Sequence, residues 1–273
     1  MQTQKVLSQL VRIPGFQALW QRSRIGSIHT RMAYDITPQP WYAYGIYNGA
    51  MLAKRLGLPA ISVIELGVAG GRGLVAMERL AEEIEREVGV RIDVYGFDSG
   101  QGMPPPRDYR DLPHVWGQGF YHMDEAALRA RLSRAELMLG DVGETVPRLL
   151  GKADLAPIAF IAFDLDYYSS TKAAFALLEG AAATRLPRIY CYFDDIAGPE
   201  FACMNEYVGE LAAIHEFNAE HAKRKISPLV NLRLERPKAA SWNDQIFVAH
   251  DFDHPLYTVN IAPEGAWREI PLK

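Results

Sequence analysis

Cysteine is scarce in this chain, with two residues in 273, Cys191 and Cys203. Two thiols are too few for a disulfide framework, and both fall in apolar segments, so the expectation is a pair of reduced core thiols in a cytoplasmic protein. No apolar run approaches the roughly 20 residues that cross a bilayer. The N-terminal segment lacks the apolar stretch and small-residue cleavage site of a secretion signal, which again points to the cytoplasm. An excess of positive charge is missing too: 29 Lys and Arg against 33 Asp and Glu give −4. A nucleic-acid partner needs a basic surface, and none is expected here. Internal repeats and low-complexity stretches are absent. What remains is an ordinary globular composition, 49% hydrophobic and 23% charged, long enough for one large α/β domain with its own core.

The pattern along the chain suggests three parts: an N-terminal helical extension over 1–40, a main domain over 41–250 and a C-terminal tail over 251–273. Val6, Leu7, Leu10, Val11 and Phe16 have the spacing of a short amphipathic helix, suited to packing on the domain or on a second copy as a homodimer. A helix follows over Trp41–Leu56, with Tyr44, Tyr47, Met51 and Leu52 on one face. Strands are expected at Ile61–Leu66, Arg91–Phe97, Ala135–Leu139, Pro157–Phe163 and Arg188–Phe193, each a short apolar run of the kind buried on both faces. Helices alternate with them at Leu74–Val88, Asp124–Leu132, Val142–Leu150, Thr171–Leu178 (capped by Ser169 or Ser170) and Phe201–Ala222. The Gly- and Pro-rich stretch Ser99–Met123 is too polar and broken for core, and loops of that length are usually functional. Leu229–Leu234 and Gln245–Ala249 read as a closing antiparallel pair. The fold expected is therefore α/β: a doubly wound, Rossmann-like seven-stranded sheet, five parallel strands plus that pair. Ligands of such sheets bind beyond the carboxyl ends of the strands.

Polar motifs do gather at those ends. Glu65-Leu-Gly-Val-Ala-Gly-Gly-Arg-Gly73 follows the first strand and opens a helix. Gly67, Ala69, Gly70 and Gly71 let the backbone approach a ligand closely, and the helix N-terminus favours a carboxylate. The spacing G-x-x-G-G-x-G is not the dinucleotide G-x-G-x-x-G, and Glu65 suits an aminoacyl-bearing cofactor better than a pyrophosphate. A plain strand–helix turn is the alternative. Asp98 ends the second strand, where a carboxylate can accept from both ribose hydroxyls; a loop or cap Asp is the other reading. Asp141 closes the third strand, placed to accept from an adenine amine, to cap the next helix, or both.

The sharpest signal is Asp164-Leu-Asp166-Tyr-Tyr-Ser-Ser-Thr171 together with Asp194-Asp195 at the next strand end. Four carboxylates at adjacent strand ends repel one another unless a cation neutralises them. All-oxygen ligation points to Mg²⁺, with Mn²⁺ or Ca²⁺ as alternatives, and no Cys–His spacing of the zinc type accompanies it. Some of these Asp residues, Asp166 or Asp195 first, could instead only cap helices.

The pattern Asp-x-Asp-x-Tyr-x-Ser-Thr with the later Asp-Asp pair resembles the macrocin O-methyltransferase-like family of Mg²⁺-dependent enzymes, over about Trp41–Pro199. The acidic arrangement is also similar in outline to catechol O-methyltransferase. The resemblance implies a class I methyltransferase fold and transfer of a methyl group from S-adenosylmethionine to a hydroxyl of a small molecule such as a sugar or natural product. It implies Asp164, Asp194 and Asp195 as metal ligands, Asp164 and Asp166 as the catalytic pair (Asp166 as support or base), and cofactor roles for Glu65, Gly67, Asp98 and Asp141. The glycine loop, the Asp98–Met123 region and the C-terminal third depart from the family's macrolide-modifying members, so the reaction type carries over better than the substrate. An NAD-binding oxidoreductase on the same sheet, or a non-catalytic cofactor- or metal-binding protein, are the rival readings. Elsewhere, His250 and His254 beside Asp251 and Asp253 look metal-like, but Pro255 favours a strand-exit loop. His114, Trp116, Phe120, Tyr121 and His122 could line a substrate pocket or pack on the surface, and His215 is expected to be structural.

Overall fold

A computed structural model describes residues 7, 10, 11, 13 and 15–262. Val6 of the expected first helix, and the tail beyond 262, lie outside the described residues. In chain order the elements are α1 (Phe16–Ser23), α2 (Ile28–Ala33), α3 (Pro40–Arg55), β1 (Ala60–Leu66), α4 (Arg72–Val88), β2 (Arg91–Asp98), α5 (Glu125–Arg129), β3 (Glu136–Leu139), α6 (Val142–Leu150), β4 (Ile158–Phe163), α7 (Tyr168–Ala174), α8 (Ala176–Glu179), β5 (Arg185–Phe193), α9 (Gly209–Glu220), β6 (Arg224–Pro228), α10 (Leu232–Glu235) and β7 (Ile246–Asp251).

The strands form one sheet in the order β3-β2-β1-β4-β5-β7-β6. β1 through β5 are parallel to one another, and β7 runs antiparallel to both β5 and β6. β1 and β4 are buried along their whole length, as central strands with helices on both faces must be. Alternate residues feed the two cores: Ile61 and Val63 meet α3 and α4 on one side, whereas Ile64 and Leu66 meet α6 to α9 on the other. Ile28 and Met32 of α2 belong to the first core, while Trp20 of α1 packs with Tyr34 and Ile36 in a small separate cluster. Among the described residues, no helix is long and apolar enough to cross a membrane.

Several local expectations need correction. Of the expected face of α3, Leu52 is buried and Tyr44, Tyr47 and Met51 are half-buried against the same core; the innermost positions also include Tyr42, Gly45, Ile46, Gly49 and Ala53. Small residues win because they let the helix axis lie close on β4: a Cβ on Gly45 would sit 2.1 Å from Phe160 Cδ2. The helix over Thr171–Leu178 is two short ones, α7 and α8, and neither Ser169 nor Ser170 caps it. Instead the buried carboxylate of Asp111, from the long loop, accepts the Ser169 N–H at 2.8 Å and its hydroxyl at 2.9 Å. The helix over Phe201–Ala222 begins only at Gly209; Glu200–Ala202 is one 3₁₀ turn, and Cys203 turns the chain at φ 51°. Cys203 is consequently exposed, and only Cys191 is a core thiol. Leu229–Leu234 is not a strand. The edge strand is β6, with Ile226 its one buried residue, and Asn231 at φ 68° starts a helical turn instead. Proline is tolerated at the end of such an edge strand.

Gly45→Ala should cost about 1–3 kcal/mol by overpacking α3 against Phe160, read as a lower urea midpoint with an unchanged m value. A midpoint equal to the parent's would contradict the close helix–strand approach.

Candidate active site

The acidic corners are held in register by backbone hydrogen bonds that continue the sheet one residue past each strand. Gly67 N–H donates to Phe97 C=O at 2.9 Å, Gly140 N–H to Asp98 C=O at 3.0 Å, Asp164 N–H to Leu66 C=O at 3.0 Å and Asp194 N–H to Phe163 C=O at 3.0 Å. Side chains at the ends of β1, β2, β3, β4 and β5 therefore share one edge, where the strand order switches direction between β1 and β4. Gly67 is required there: its φ is +86°, and a Cβ would lie 1.7 Å from the Asp164 carbonyl oxygen.

A cavity of about 700 Å³ opens on this edge. Of the expected cofactor residues, Gly67, Ala69, Asp98 and Asp141 line it, while Glu65, Gly70 and Gly71 do not. Glu65 lies 2% exposed beneath the loop, accepting from Tyr42 Oη at 2.7 Å on Oε1. Its Oε2 has no hydrogen-bond partner among the described residues, and burial holds its carboxyl well above the usual range. Asp98 Oδ2 accepts the Ala69 N–H at 2.8 Å and Oδ1 the Gly100 N–H at 2.7 Å, which leaves each oxygen one further lone-pair direction. Ala69 holds a left-handed φ of 44° at that contact. Asp141 caps α6 through the Gly143 N–H at 2.7 Å, as one of its two readings expected, and also lines the cavity.

The second half of the site is a concentration of carboxyl groups. One oxygen each of Asp164, Asp194 and Asp195 lies within 4.8 Å of the others. The ends of β4 and β5 are fixed below them by Phe163 and Phe193, whose rings stack at 4.6 Å and 7°. Tyr192 Oη donates to Asp194 Oδ1, and Gln245 Nε2 donates to the Asp194 carbonyl at 2.8 Å. Asp166 sits at φ 57°, held by its N–H to Asp195 Oδ2 at 2.9 Å; such a backbone costs roughly 1–3 kcal/mol and persists where the surroundings over-determine it. Glu210 of α9, wholly buried, accepts the Asp195 N–H at 3.2 Å and leaves Oε1 unpartnered.

None of these five carboxyl groups has an ion pair among the described residues. Burial, then Asp194 and Asp166, hold Asp164 well above the usual carboxylate range. Asp195 is raised by burial and Glu210, Glu210 by burial and Asp164, and Asp166 is pushed up to about 6 by burial with Asp194 adding. Like charges at about 4 Å repel by roughly 4 kcal/mol at the effective dielectric of a protein site. A hard divalent cation, for which an all-carboxylate donor set is suited, would relieve that repulsion.

The cavity walls come from the long loop, with Met103, Trp116 and Tyr121, and from the loop after β5, with Pro199 and Met204. His114, Phe120 and His122 do not line it. His254 Nε2 lies 3.0 Å from the Ala182 carbonyl and Asp251 pairs with Arg185, so that segment is a strand-exit loop. His215 is exposed on α9, its ring 6.3 Å from Tyr207. Sequence reasoning missed Tyr42, Asp111, Tyr192, Glu210 and Met204. Only Tyr192 carried a visible signal, an aromatic two residues before Asp194; the others are brought in by folding.

The sheet order, its single reversed strand and the acidic row at the carboxyl edge define the class I S-adenosylmethionine-dependent methyltransferase fold. A solved structure that shares it is the calicheamicin methyltransferase CalS11, 24% identical, covering 75% of this chain and 77% of its own, with a TM-score of 0.51. The apo structure of CalS11, a TDP-rhamnose 3'-O-methyltransferase, is 23% identical over 75% and 77% of the two chains with a TM-score of 0.43. The O-methyltransferase TomG of Streptomyces achromogenes, solved with S-adenosylmethionine, is 14% identical over 75% and 79% with a TM-score of 0.39. No protein-family model and no curated protein sequence matches the chain.

Asp164→Asn should raise the thermal midpoint in excess chelator at pH 8 by several degrees, since a domain of this size gains about 2–4 °C per kcal/mol. The raised carboxyls bind protons more tightly folded than unfolded, so their stabilisation is complete below about pH 4 and is lost as the pH rises through 6 and beyond. The advantage of the variant should accordingly shrink on acidification toward pH 4. A variant no more stable than its parent at pH 8 would refute the repulsion.

Proposed function

We propose that this chain is an S-adenosylmethionine-dependent O-methyltransferase, assisted by a divalent metal, that acts on a hydroxyl of a small molecule such as a sugar or natural product. The observation that carries the reading is that Asp164, Asp194 and Asp195, without a counter-charge among the described residues, face the same cavity as the Ala69, Asp98 and Asp141 corners. The name of the fold neighbour, a calicheamicin methyltransferase, agrees with methyl transfer.

In this reading S-adenosylmethionine supplies the electrophilic methyl group, and the metal, Mg²⁺ first and Mn²⁺ or Ca²⁺ as alternatives, lowers the pKa of the acceptor hydroxyl. Asp164, Asp194 and Asp195 hold the metal, with Tyr192 taking one lone pair of Asp194 and so orienting its other oxygen. Asp98 accepts from the ribose hydroxyls with the lone pairs its backbone donors leave, and Asp141 accepts from the adenine amine. Gly67, Ala69, Gly70 and Gly71 shape the turn, and Glu65 braces it from below, its unpartnered Oε2 available to the aminoacyl end. Asp166, with a pKa of about 6, accepts the proton of the acceptor hydroxyl. Trp116 and Tyr121 cover the reacting groups from water. Orientation of the two reactants is worth roughly 7–11 kcal/mol of the barrier. A cytoplasmic location, a homodimer joined through the N-terminal extension 1–40 and a domain spanning 41–250 belong to the same reading.

The rivals separate in one assay series. S-Adenosylhomocysteine should bind and NAD should not. Asp166→Asn should lower kcat by about 10²–10⁴-fold, and Asp164→Asn or excess chelator should abolish turnover while leaving S-adenosylhomocysteine affinity within about twofold, as expected if cofactor and metal contacts are separate. Full activity in excess chelator would remove the metal from the account. Binding of both ligands with no methyl transfer to any hydroxylated compound would favour a non-catalytic protein.

A further inference from the structure

Within the long loop between β2 and α5, the stretch from Arg107 to Leu112 is anchored to two helices, while flanking parts of the loop line the cavity. Asp111 ends a 3₁₀ turn over Tyr109–Asp111 and is fully buried. Its carboxylate takes three donors from two segments. Oδ1 accepts the Ser169 N–H at 2.8 Å, and Oδ2 accepts the Ser169 hydroxyl at 2.9 Å and the Arg107 N–H at 2.8 Å. An amide of the same shape would turn its NH₂ toward one of the two backbone N–H groups whichever way it lay, so only a carboxylate satisfies both. The neighbours of Asp111 reach the same region. Arg110 lies 3.9 Å over the ring of Tyr168 on α7 and donates to Glu216 on α9 at 2.9 Å. Leu112, 1% exposed, abuts Gly209 at the start of α9, where an added Cβ would lie 3.3 Å from Leu112 Cδ1 and 3.7 Å from the Asp166 carbonyl oxygen. The anchored stretch therefore meets the two segments that carry Asp166 and Glu210. It also leads straight to the cavity wall: the Leu112 carbonyl accepts the Val115 N–H at 2.8 Å and the Trp116 N–H at 3.0 Å, and Trp116 lines the cavity.

We propose that Asp111 is a positioning residue: its contacts with Ser169 hold the turn that carries Asp166 and tie the Trp116 wall to that turn, so that loop and acidic corner form one unit. This rests on the cavity being the methyl-transfer site. Asp111 is absent from the cavity lining, so it acts through Ser169 and the backbone leading back to Asp166, which sits at φ 57°. A left-handed residue of that kind persists only where its surroundings hold it. The Asp195 carboxylate fixes the Asp166 N–H, and Asp111 fixes the chain that leaves it. A displacement on the order of 1 Å at a reacting group is enough to cost about 10²-fold in rate.

The test compares the full chain with its Asp111→Asn variant, after both are titrated with S-adenosylhomocysteine. Amide hydrogen exchange, read by mass spectrometry, should speed up about tenfold in two separate segments, 103–121 and 164–171, with β1 and α4 unchanged, as expected for losing a hydrogen bond to a charged group. Faster exchange in one segment alone, throughout the molecule or in neither segment overturns the proposal. With any methyl glycoside or phenol that the parent methylates, kcat should fall about 10–100-fold while KM for S-adenosylmethionine stays within about twofold, below the thermal transitions of both proteins. An unchanged kcat, or a change in KM alone, contradicts the positioning role. If Asp111→Asn does not fold, Ser169→Ala decides, since it keeps the N–H contact and loses the hydroxyl. It should loosen the same two segments by about threefold, and the same contrary patterns overturn the proposal. Failure of the parent to bind S-adenosylhomocysteine defeats the methyltransferase reading, whereas its binding with exchange raised in one segment only defeats this inference alone.

Discussion

Five carboxyl groups, from Asp164, Asp166, Asp194, Asp195 and Glu210, are crowded at the ends of β4 and β5 and under the start of α9, most of them out of water and without a cationic partner among the described residues. Like charges so close repel one another. They stay together because the backbone leaves no choice: Asp164 and Asp194 are each the first residue past a strand and are pinned by N–H groups to the neighbouring strand. The left-handed turn at Asp166 is fastened to Asp195. The energy of sheet pairing and of the aromatic stack below is set against electrostatic repulsion.

The same edge supplies the other half of the site with a different balance. Asp98 and Asp141 are satisfied by local backbone donors, so they stay in place without help and keep lone pairs for a polar ligand. Gly67 joins the halves physically. Its missing side chain lets the glycine loop pass against the Asp164 carbonyl, which sets the spacing between whatever the loop holds and whatever the acidic triplet holds. From beneath, Tyr42 and Tyr192 approach edge to face at 6.0 Å, one hydroxyl on Glu65 and the other on Asp194. Helix α3 thus touches both halves through neighbouring aromatic residues.

How much of this could be read in the sequence depended on range. The central strands were legible because β1 and β4 are unbroken apolar runs, and the acidic corners because each ends its strand. Asp164, Asp194 and Asp195 were expected together and lie together. What escaped notice was set by contacts between distant segments. Asp111 replaces a serine cap on α7 from 58 positions away, and Glu210 completes the acidic cluster from a helix whose start was misplaced. The face of α3 was legible only in part: Leu52 is core and Tyr44, Tyr47 and Met51 pack at its margin, while the close approach to β4 rests on Gly45 and Gly49. In the last third, an apolar stretch at Leu229–Leu234 outweighed in pattern the polar edge strand Arg224–Pro228, which is held by pairing to β7 rather than by burial.

The central claim is that the strand-end carboxylates bind a metal next to the methyl donor. Anomalous scattering at the manganese edge, from crystals grown with Mn²⁺ and S-adenosylhomocysteine, tests it most directly. The account predicts one strong peak within bonding distance of Asp164, Asp194 and Asp195, with the cofactor's sulfur facing it across the cavity. A peak elsewhere, or none with S-adenosylhomocysteine fully bound, would contradict it.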